Sequence, residues 1–94
     1  MKALAAQWKE PTVVYICNPH NPTGTLTPSA EVDAWIASAA DNVFFVIDEA
    51  YFPFVTDATY WSADKWVHQK SNVLVTRTFS KLYGMAGLRI GYGL

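Results

Sequence analysis

The sequence predicts an α/β fold built on a mostly parallel sheet, and two observations support this class. Three apolar runs rich in β-branched and aromatic residues, at 13–17, 43–47 and 73–77, indicate strands. Segments with helical spacing of apolar residues separate these runs, so that strands and helices alternate along the chain. This alternation is typical of right-handed β-α-β units in a parallel sheet.

The first two strands and the helix between them have the clearest signals. Both strands are apolar on their two alternating faces, which predicts a sheet that is covered on both sides. The helix is predicted to begin with Thr27 as N-cap and Pro28 at the first helical position, and to end before Asp41. Apolar side chains recur at helical spacing within it: Val32, Trp35, Ile36 and Ala39.

The remaining segments are less regular. An aromatic stretch over 52–61 follows the second strand, and a second helix is predicted over 62–69. Residues 1–10 also have a helical pattern, and residues 88–94 are typical of the opening of a further strand. We therefore expect packing neighbours on both flanks, with this chain as a piece of a larger domain.

The composition argues against several classes of function. The chain has 94 residues, of which 51% are apolar and 16% charged, and its formal net charge is -1. This charge gives no electrostatic reason to expect nucleic acid or an anionic membrane as a partner. The longest apolar run, 43–47, is far shorter than the ~20 residues that span a bilayer. A single cysteine, Cys17, excludes an intrachain disulfide. We expect a cytoplasmic protein that acts on small molecules.

Polar clusters follow all three predicted strands, at the point where each strand ends. The clusters are NPHNPTG (18–24), DEAY (48–51) and TFSK (78–81). Ligands of open α/β sheets bind outside the carboxyl ends of the strands. We therefore expect Asn21, Asp48 and Lys81 to converge on one pocket.

Lys81 is the candidate for covalent chemistry with an aldehyde. A lysine amine attacks a carbonyl only in its neutral form, which burial or a cationic neighbour favours, and Arg89 is the expected neighbour. The hydroxyls of Thr78 and Ser80, with the Arg89 guanidinium, are suited to hold a phosphate. Each of these residues alone would more often be a capping or surface side chain, so the functional interpretation rests on their grouping.

Asp48 ends an apolar strand, where an isolated carboxylate is costly to bury without a partner. A protonated ring nitrogen would be such a partner. A magnesium site at Asp48 and Glu49 is an alternative, which we discount because no phosphate-binding glycine loop precedes it; we predict no metal. Tyr51 and Asn21 are placed to direct a hydroxyl and an amide at the same ligand, although either alone would more often be loop packing.

The three clusters, together with GLRIG (87–91), resemble the motifs of fold-type-I pyridoxal-phosphate enzymes in the class I/II aminotransferase family. The histidinol-phosphate aminotransferase branch is the nearest match. The resemblance covers about residues 13–94 and implies a partial three-layer α/β sandwich. It implies that residues 1–94 are the central part of the cofactor-binding large domain, without the small domain and flanking parts.

The resemblance also implies roles for individual residues. Lys81 would form the Schiff base with pyridoxal 5'-phosphate, and Asp48 would contact the pyridine nitrogen. Asn21 and Tyr51 would hydrogen-bond the phenolic oxygen of the ring, with Lys81, Asp48 and Tyr51 as the catalytic residues. The implied phosphate ligands are Thr78, Ser80 and Arg89.

The implied activity is transamination of an amino acid or amino-phosphate, such as histidinol phosphate, with 2-oxoglutarate or glutamate as exchange partner. The resemblance implies an intact homodimer, and we expect the 94-residue piece alone to be inactive. Two alternatives stay open: a decarboxylase or lyase of the same fold, similar to threonine-phosphate decarboxylase, and a non-catalytic fragment.

Overall fold

The structure, a computed structural model, describes residues 8–94 and centres on a four-stranded sheet whose strands lie side by side in the order in which they occur along the chain. The strands are β1 (Thr12–Cys17), β2 (Val43–Asp48), β3 (Val73–Thr78) and β4 (Gly91–Gly93). The first three are parallel to one another, and β4 runs antiparallel to β3. The predicted α/β class with a mostly parallel sheet is confirmed.

The helix α1 (Ser29–Ser38) connects β1 and β2. Its N-cap is Pro28 instead of the predicted Thr27, and no side chain caps it. Thr27 is engaged elsewhere, because its N–H donates to Oδ1 of Asn18 and its carbonyl accepts from Nδ2 of Asn18, both at 2.9 Å. This buried asparagine therefore closes the base of the loop over 19–26.

The second predicted helix is much shorter than the sequence suggests. An α-helix was expected over 62–69, but the segment forms a 3-10 turn, Ala63–Trp66, followed by hydrogen-bonded turns. Ser62 caps its start by accepting a hydrogen bond from the amide of Asp64 at 3.0 Å. The prediction of a regular helix is wrong here because this segment is held by contacts to other parts of the chain.

One of these contacts is a hydrogen-bonded cluster around Asp33 of α1. Its carboxylate accepts from Nζ of Lys65 and Nε1 of Trp66, each at 2.6 Å, and from Nε1 of Trp61 at 3.0 Å. Burial opposes ionisation of Asp33, but these hydrogen bonds outweigh it and hold the pKa of the carboxyl below its usual value. The cluster therefore ties α1 to the segment before β3.

One face of the sheet carries the hydrophobic core. Side chains of the first three strands that alternate toward this face are buried: Val14, Ile16, Val43, Phe45, Ile47, Val73 and Val75. On the other face, Val13 is 67% exposed and Tyr15 is 61% exposed. Within residues 8–94, α1 and the 3-10 turn add their buried side chains to this one core, and the expected cover on the second face stays a prediction.

A buried ion pair fixes the start of the DEAY segment to β3. Glu49 is 1% exposed, and its carboxylate accepts from Nη2 and Nε of Arg77 at 2.9 and 3.0 Å. It also accepts from the hydroxyl of Ser62 at 2.9 Å and the amide of Ala63 at 2.8 Å. Glu49 therefore faces the core, whereas Asp48 hydrogen-bonds on the opposite face, and the two carboxylates do not form the magnesium pair considered above.

We expect Arg77→Ala to lower the free energy of unfolding of the full-length protein by about 3 kcal/mol, because it leaves the buried Glu49 charge unpaired. Urea denaturation measures the loss. The double variant Arg77→Met with Glu49→Leu is the control, since it removes both charges and should recover most of the stability. A single variant as stable as the double variant would show that the pair does not hold this segment.

The strand expected near the end of the sequence is present as β4, whose Gly91 pairs with Thr78. A Cβ at position 91 would lie 2.7 Å from the carbonyl oxygen of Arg77, so the two strands approach closely only with glycine there. The helix predicted over residues 1–10 lies for its first seven positions outside the described residues. Within residues 8–94, no helix is long and apolar enough to cross a membrane.

Candidate active site

Two cavities lie side by side at the carboxyl ends of the parallel strands. The first, of about 340 Å³, is called the ring cavity here, and the predicted site residues that line it are Asn21, Asp48, Tyr51 and Lys81. The second, of about 290 Å³, is called the phosphate cavity, and it is lined by Asp48, Lys81, Thr78, Ser80 and Arg89. The structure thus brings together all seven predicted residues, and Asp48 and Lys81 line both cavities. Their roles are still predictions.

Asp48 is the last residue of β2, on the face of the sheet opposite the core. Its Oδ1 accepts from the amide of Ala50 at 3.0 Å, and its Oδ2 accepts from the hydroxyl of Tyr15 at 2.6 Å. Tyr15 lies on β1 two residues before Cys17, which is paired with Asp48. The carboxylate is therefore held at both oxygens.

Tyr15 is the residue of this site that the sequence reasoning missed. The hydrogen bond to Asp48, followed by desolvation and the negative charge of the carboxylate, raises the pKa of the Tyr15 phenol above its usual value. The hydroxyl therefore stays protonated and donates at neutral pH. The alternation of side chains along a strand could have shown that Tyr15 and Cys17 share a face of β1. It could not have shown which residues of β2 lie beside them, because the register between strands cannot be read from the sequence.

The Lys81 side chain reaches the ring cavity from the turn after β3. Thr78 shapes this turn, since its Oγ1 accepts from the amide of Ser80 at 3.0 Å. Nζ of Lys81 lies 5.3 Å from the centroid of the Tyr51 ring, within the range of a cation–π contact. Lys81 is exposed within the described residues, and the expected cationic neighbour, Arg89, lines the phosphate cavity with it.

Arg89 enters the phosphate cavity from the turn that precedes β4. It follows the 3-10 turn Ala86–Leu88 in a left-handed conformation, with φ of 53°, and its Nη1 donates to the carbonyl of Ala86 at 3.0 Å. The pairing of β4 with β3 brings this turn beside Thr78. Hydroxyl groups and a guanidinium meet here, which is a set that suits a phosphate.

Asn21 is carried by the loop over 19–26. The loop is tight, because the amide of His20 donates to the carbonyl of Thr25 at 2.9 Å and the amide of Gly24 donates to the carbonyl of His20 at 2.8 Å. The peptide bonds before Pro19 and Pro22 are cis. Within residues 8–94 the Asn21 side chain forms no hydrogen bond, so its amide is available to a ligand.

The donor set of the two cavities fits pyridoxal 5'-phosphate. A carboxylate held at both oxygens is a partner for a ring N–H, and an amine in the same cavity is a partner for an aldehyde. The adjoining cavity supplies cationic and hydroxyl donors for a phosphate. Glu49, on the opposite face of the sheet, is saturated by Arg77, Ser62 and Ala63 and is not available to a ligand.

A protein-family model, aminotransferase class I and II, matches residues 1–94. Among curated relatives, histidinol-phosphate aminotransferase 1 of Nitrosococcus oceani is 47% identical over 94 residues, which are 100% of this chain and 25% of that protein. Histidinol-phosphate aminotransferase of Brevibacillus brevis is 42% identical over 95 residues, covering 26% of that protein. The chain therefore spans about a quarter of the length of these relatives.

Solved structures give the same result for the fold. The histidinol-phosphate aminotransferase of Sinorhizobium meliloti, solved in complex with pyridoxal-5'-phosphate, is 37% identical with a TM-score of 0.84, over 98% of this chain and 24% of that one. L-threonine-O-3-phosphate decarboxylase of Porphyromonas gingivalis is 32% identical with a TM-score of 0.75, over 88% of this chain and 25% of that one. With the family model matched along all 94 residues, this chain belongs to the class I and II aminotransferase family.

Proposed function

We propose that this chain is the central, cofactor-binding part of the large domain of a pyridoxal-phosphate-dependent aminotransferase. The observation that carries the proposal is the position of Asp48 and Lys81, which line a ring-sized cavity and an adjoining cavity of phosphate donors. Similarity to the Sinorhizobium meliloti enzyme, which was solved with pyridoxal-5'-phosphate, supports this cofactor. The full activity belongs to the longer protein, and we propose that the 94-residue piece alone is inactive.

Asp48 and Lys81 have the proposed catalytic roles, and each acts through a particular atom or group. When bound, pyridoxal phosphate supplies an electron sink for negative charge that develops at the substrate Cα. The Asp48 carboxylate would hold a proton on the ring nitrogen, and this positive charge would strengthen the sink. Nζ of Lys81 would hold the cofactor through its aldehyde carbon, with loss of water, and, once the substrate amine has displaced it, would be the acid and base that moves the Cα proton.

The remaining residues bind and orient the ring. The hydroxyl of Tyr51 and the amide of Asn21 would donate to the phenolic oxygen, and the centroid of the Tyr51 ring also lies 5.3 Å from Nζ of Lys81. The proposed phosphate ligands are Thr78, Ser80 and Arg89. Contacts at the ring and at the phosphate would fix the cofactor at two ends, with Lys81 between them to hold it.

We propose histidinol phosphate or a similar amino-phosphate as amino donor, with 2-oxoglutarate and glutamate as the exchange pair. The names of the Nitrosococcus and Brevibacillus relatives support a place in amino-acid biosynthesis. We further propose that the intact protein is a cytoplasmic homodimer. Size-exclusion chromatography with light scattering of the full-length protein tests the dimer, and a monomer would contradict it.

Borohydride reduction tests the proposed function directly. The full-length protein is loaded with pyridoxal phosphate, reduced and digested, and the labelled peptide is identified by mass spectrometry. We expect the label on Lys81. Label on Lys65, which pairs with Asp33 away from both cavities, or on no lysine would favour the alternative that this stretch belongs to a non-catalytic protein.

A decarboxylase is the second candidate, and the similarity to the Porphyromonas gingivalis L-threonine-O-3-phosphate decarboxylase favours it. The two candidates share the cofactor and differ in what happens to a bound amino acid. Addition of glutamate to the loaded protein distinguishes them by absorbance. An aminotransferase converts the cofactor to its amine form, whereas a decarboxylase leaves the spectrum of the aldehyde form after glutamate is removed.

We expect Arg89→Ala to weaken the affinity for pyridoxal phosphate by about 10- to 100-fold, since a hydrogen bond to a charged group contributes about 1.5–3 kcal/mol. Equilibrium dialysis of the full-length protein measures the change. Arg89→Lys is the matched variant, because it keeps the positive charge and loses the planar guanidinium group. Its affinity for pyridoxal phosphate should lie between those of the unmutated protein and Arg89→Ala. Unchanged affinity in Arg89→Ala would place the phosphate elsewhere.

A further inference from the structure

We propose that Tyr15 is a positioning residue for Asp48, and that its hydroxyl keeps the shared proton on the cofactor nitrogen instead of on the carboxylate. The inference deepens the proposed function and rests on it. It assigns a function to Tyr15, a residue of β1 that lies outside the three motifs at the strand ends.

The sheet geometry brings the two side chains together. β1 and β2 are parallel neighbours in which Tyr15 is paired with Val46 and Cys17 with Asp48. Residues two apart on a strand share a face, so Tyr15 is the diagonal neighbour of Asp48 on the face away from the core. Its hydroxyl oxygen lies 2.6 Å from Oδ2 of Asp48.

This contact restricts the carboxylate. Oδ1 of Asp48 already accepts from the amide of Ala50, and Tyr15 occupies one acceptor position of Oδ2. Other ionisable groups that line the same cavity are Cys17, His20, Tyr51 and Lys81, and within residues 8–94 none of them hydrogen-bonds the carboxylate. The carboxylate therefore cannot rotate without losing a donor, and its remaining acceptor positions are left for a ring N–H.

The same hydrogen bond acts on the proton balance of the ring. An O–H···O⁻ contact of 2.6 Å falls in the short range of charge-assisted bonds. It draws negative charge from the carboxylate, which then competes less strongly for the ring proton. The raised pKa of the Tyr15 phenol means that this donor is present throughout the neutral range. The ring nitrogen stays protonated, as an electron sink requires.

The experiment uses the full-length protein loaded with pyridoxal phosphate that is labelled with ¹⁵N in the ring, and measures the ¹⁵N chemical shift. We expect Tyr15→Phe to move the signal toward the unprotonated value. Tyr83→Phe is the matched control, because Tyr83 is also 61% exposed and its hydroxyl makes no hydrogen bond within residues 8–94. This control should leave the signal unchanged.

A double-mutant cycle with Asp48→Asn separates the possible outcomes. If Tyr15 acts through Asp48, the single variant Asp48→Asn moves the signal and Tyr15→Phe adds nothing in that background. A shift in Tyr15→Phe that persists in the Asp48→Asn background would overturn the inference, as would a single Tyr15→Phe variant that matches the unmutated protein. If Asp48→Asn itself leaves the signal in place, the proposed cofactor contact fails and the inference fails with it.

Discussion

Replacing Lys81 with alanine in the full-length protein is expected to abolish transamination, with a loss of at least about 10⁴-fold in the rate of the half-reaction. The variant loses the amine that we propose bonds the cofactor and, in the same side chain, the proposed base for the Cα proton, and general acid–base catalysis alone contributes up to about 10⁴-fold. Single-turnover conversion with glutamate, followed by absorbance, measures the rate. Binding of substrate to the cofactor without turnover should survive.

Lys65→Ala is the matched control for this experiment. Lys65 is also a solvent-accessible lysine, but its Nζ pairs with Asp33 of α1 and it lines neither the ring cavity nor the phosphate cavity. We expect it to retain the half-reaction at close to the normal rate. Turnover retained in Lys81→Ala would contradict the assignment of the covalent residue, whatever the control shows.

Asp48→Asn is expected to reduce kcat by about 10³-fold, near the upper end of what one preorganised electrostatic contact contributes. Asparagine has the shape of aspartate, and its side-chain oxygen can still accept from Ala50 or Tyr15. What the variant loses is the negative charge that, in the proposed role, keeps the ring nitrogen protonated. Steady-state kinetics of the full-length protein measures kcat, and circular dichroism checks that the fold is unchanged.

Asp41→Asn is the control for the charge change, since Asp41 is exposed between α1 and β2 and lines neither cavity. It should leave kcat within about twofold, as surface substitutions away from a site usually have small effects. A near-normal kcat in Asp48→Asn would exclude the ring-nitrogen role. The comparison with Lys81→Ala then separates the electrostatic contribution of the site from the covalent one.

The sequence predicted the sheet and the convergence of the site better than it predicted the helices. Runs of β-branched and aromatic residues are a local signal, and each of the first three strands was found within one residue of its predicted bounds. Because the strands are parallel, their carboxyl ends meet at one edge, which is why Asn21, Asp48 and Lys81 line one cavity. This convergence could be inferred from the strands alone, without knowing any contact that other segments make.

Helix α1 was found with its N-cap one residue later than predicted, whereas the second predicted helix was replaced by a 3-10 turn. Thr27 has a strong N-cap preference, yet the side chain of Asn18 uses both backbone groups of Thr27 and the helix begins after Pro28. The segment over 62–69 has helical spacing, but its polar groups bind Asp33 and Glu49 and leave only a 3-10 turn. Tertiary contacts overrode local propensity in both places.

The sequence by itself determined which residue types stand at the three strand ends. These motifs also identified the family, because each is a short run of consecutive residues that needs no structure to be recognised. Only the tertiary structure decided that Tyr15 donates to Asp48 and that Glu49 turns to Arg77. The two residues of these pairs are 33 and 28 positions apart in the sequence, respectively, and they meet only because of how the parallel strands align. Alternation reveals the faces of each strand, whereas the register between strands is set by packing of the whole sheet.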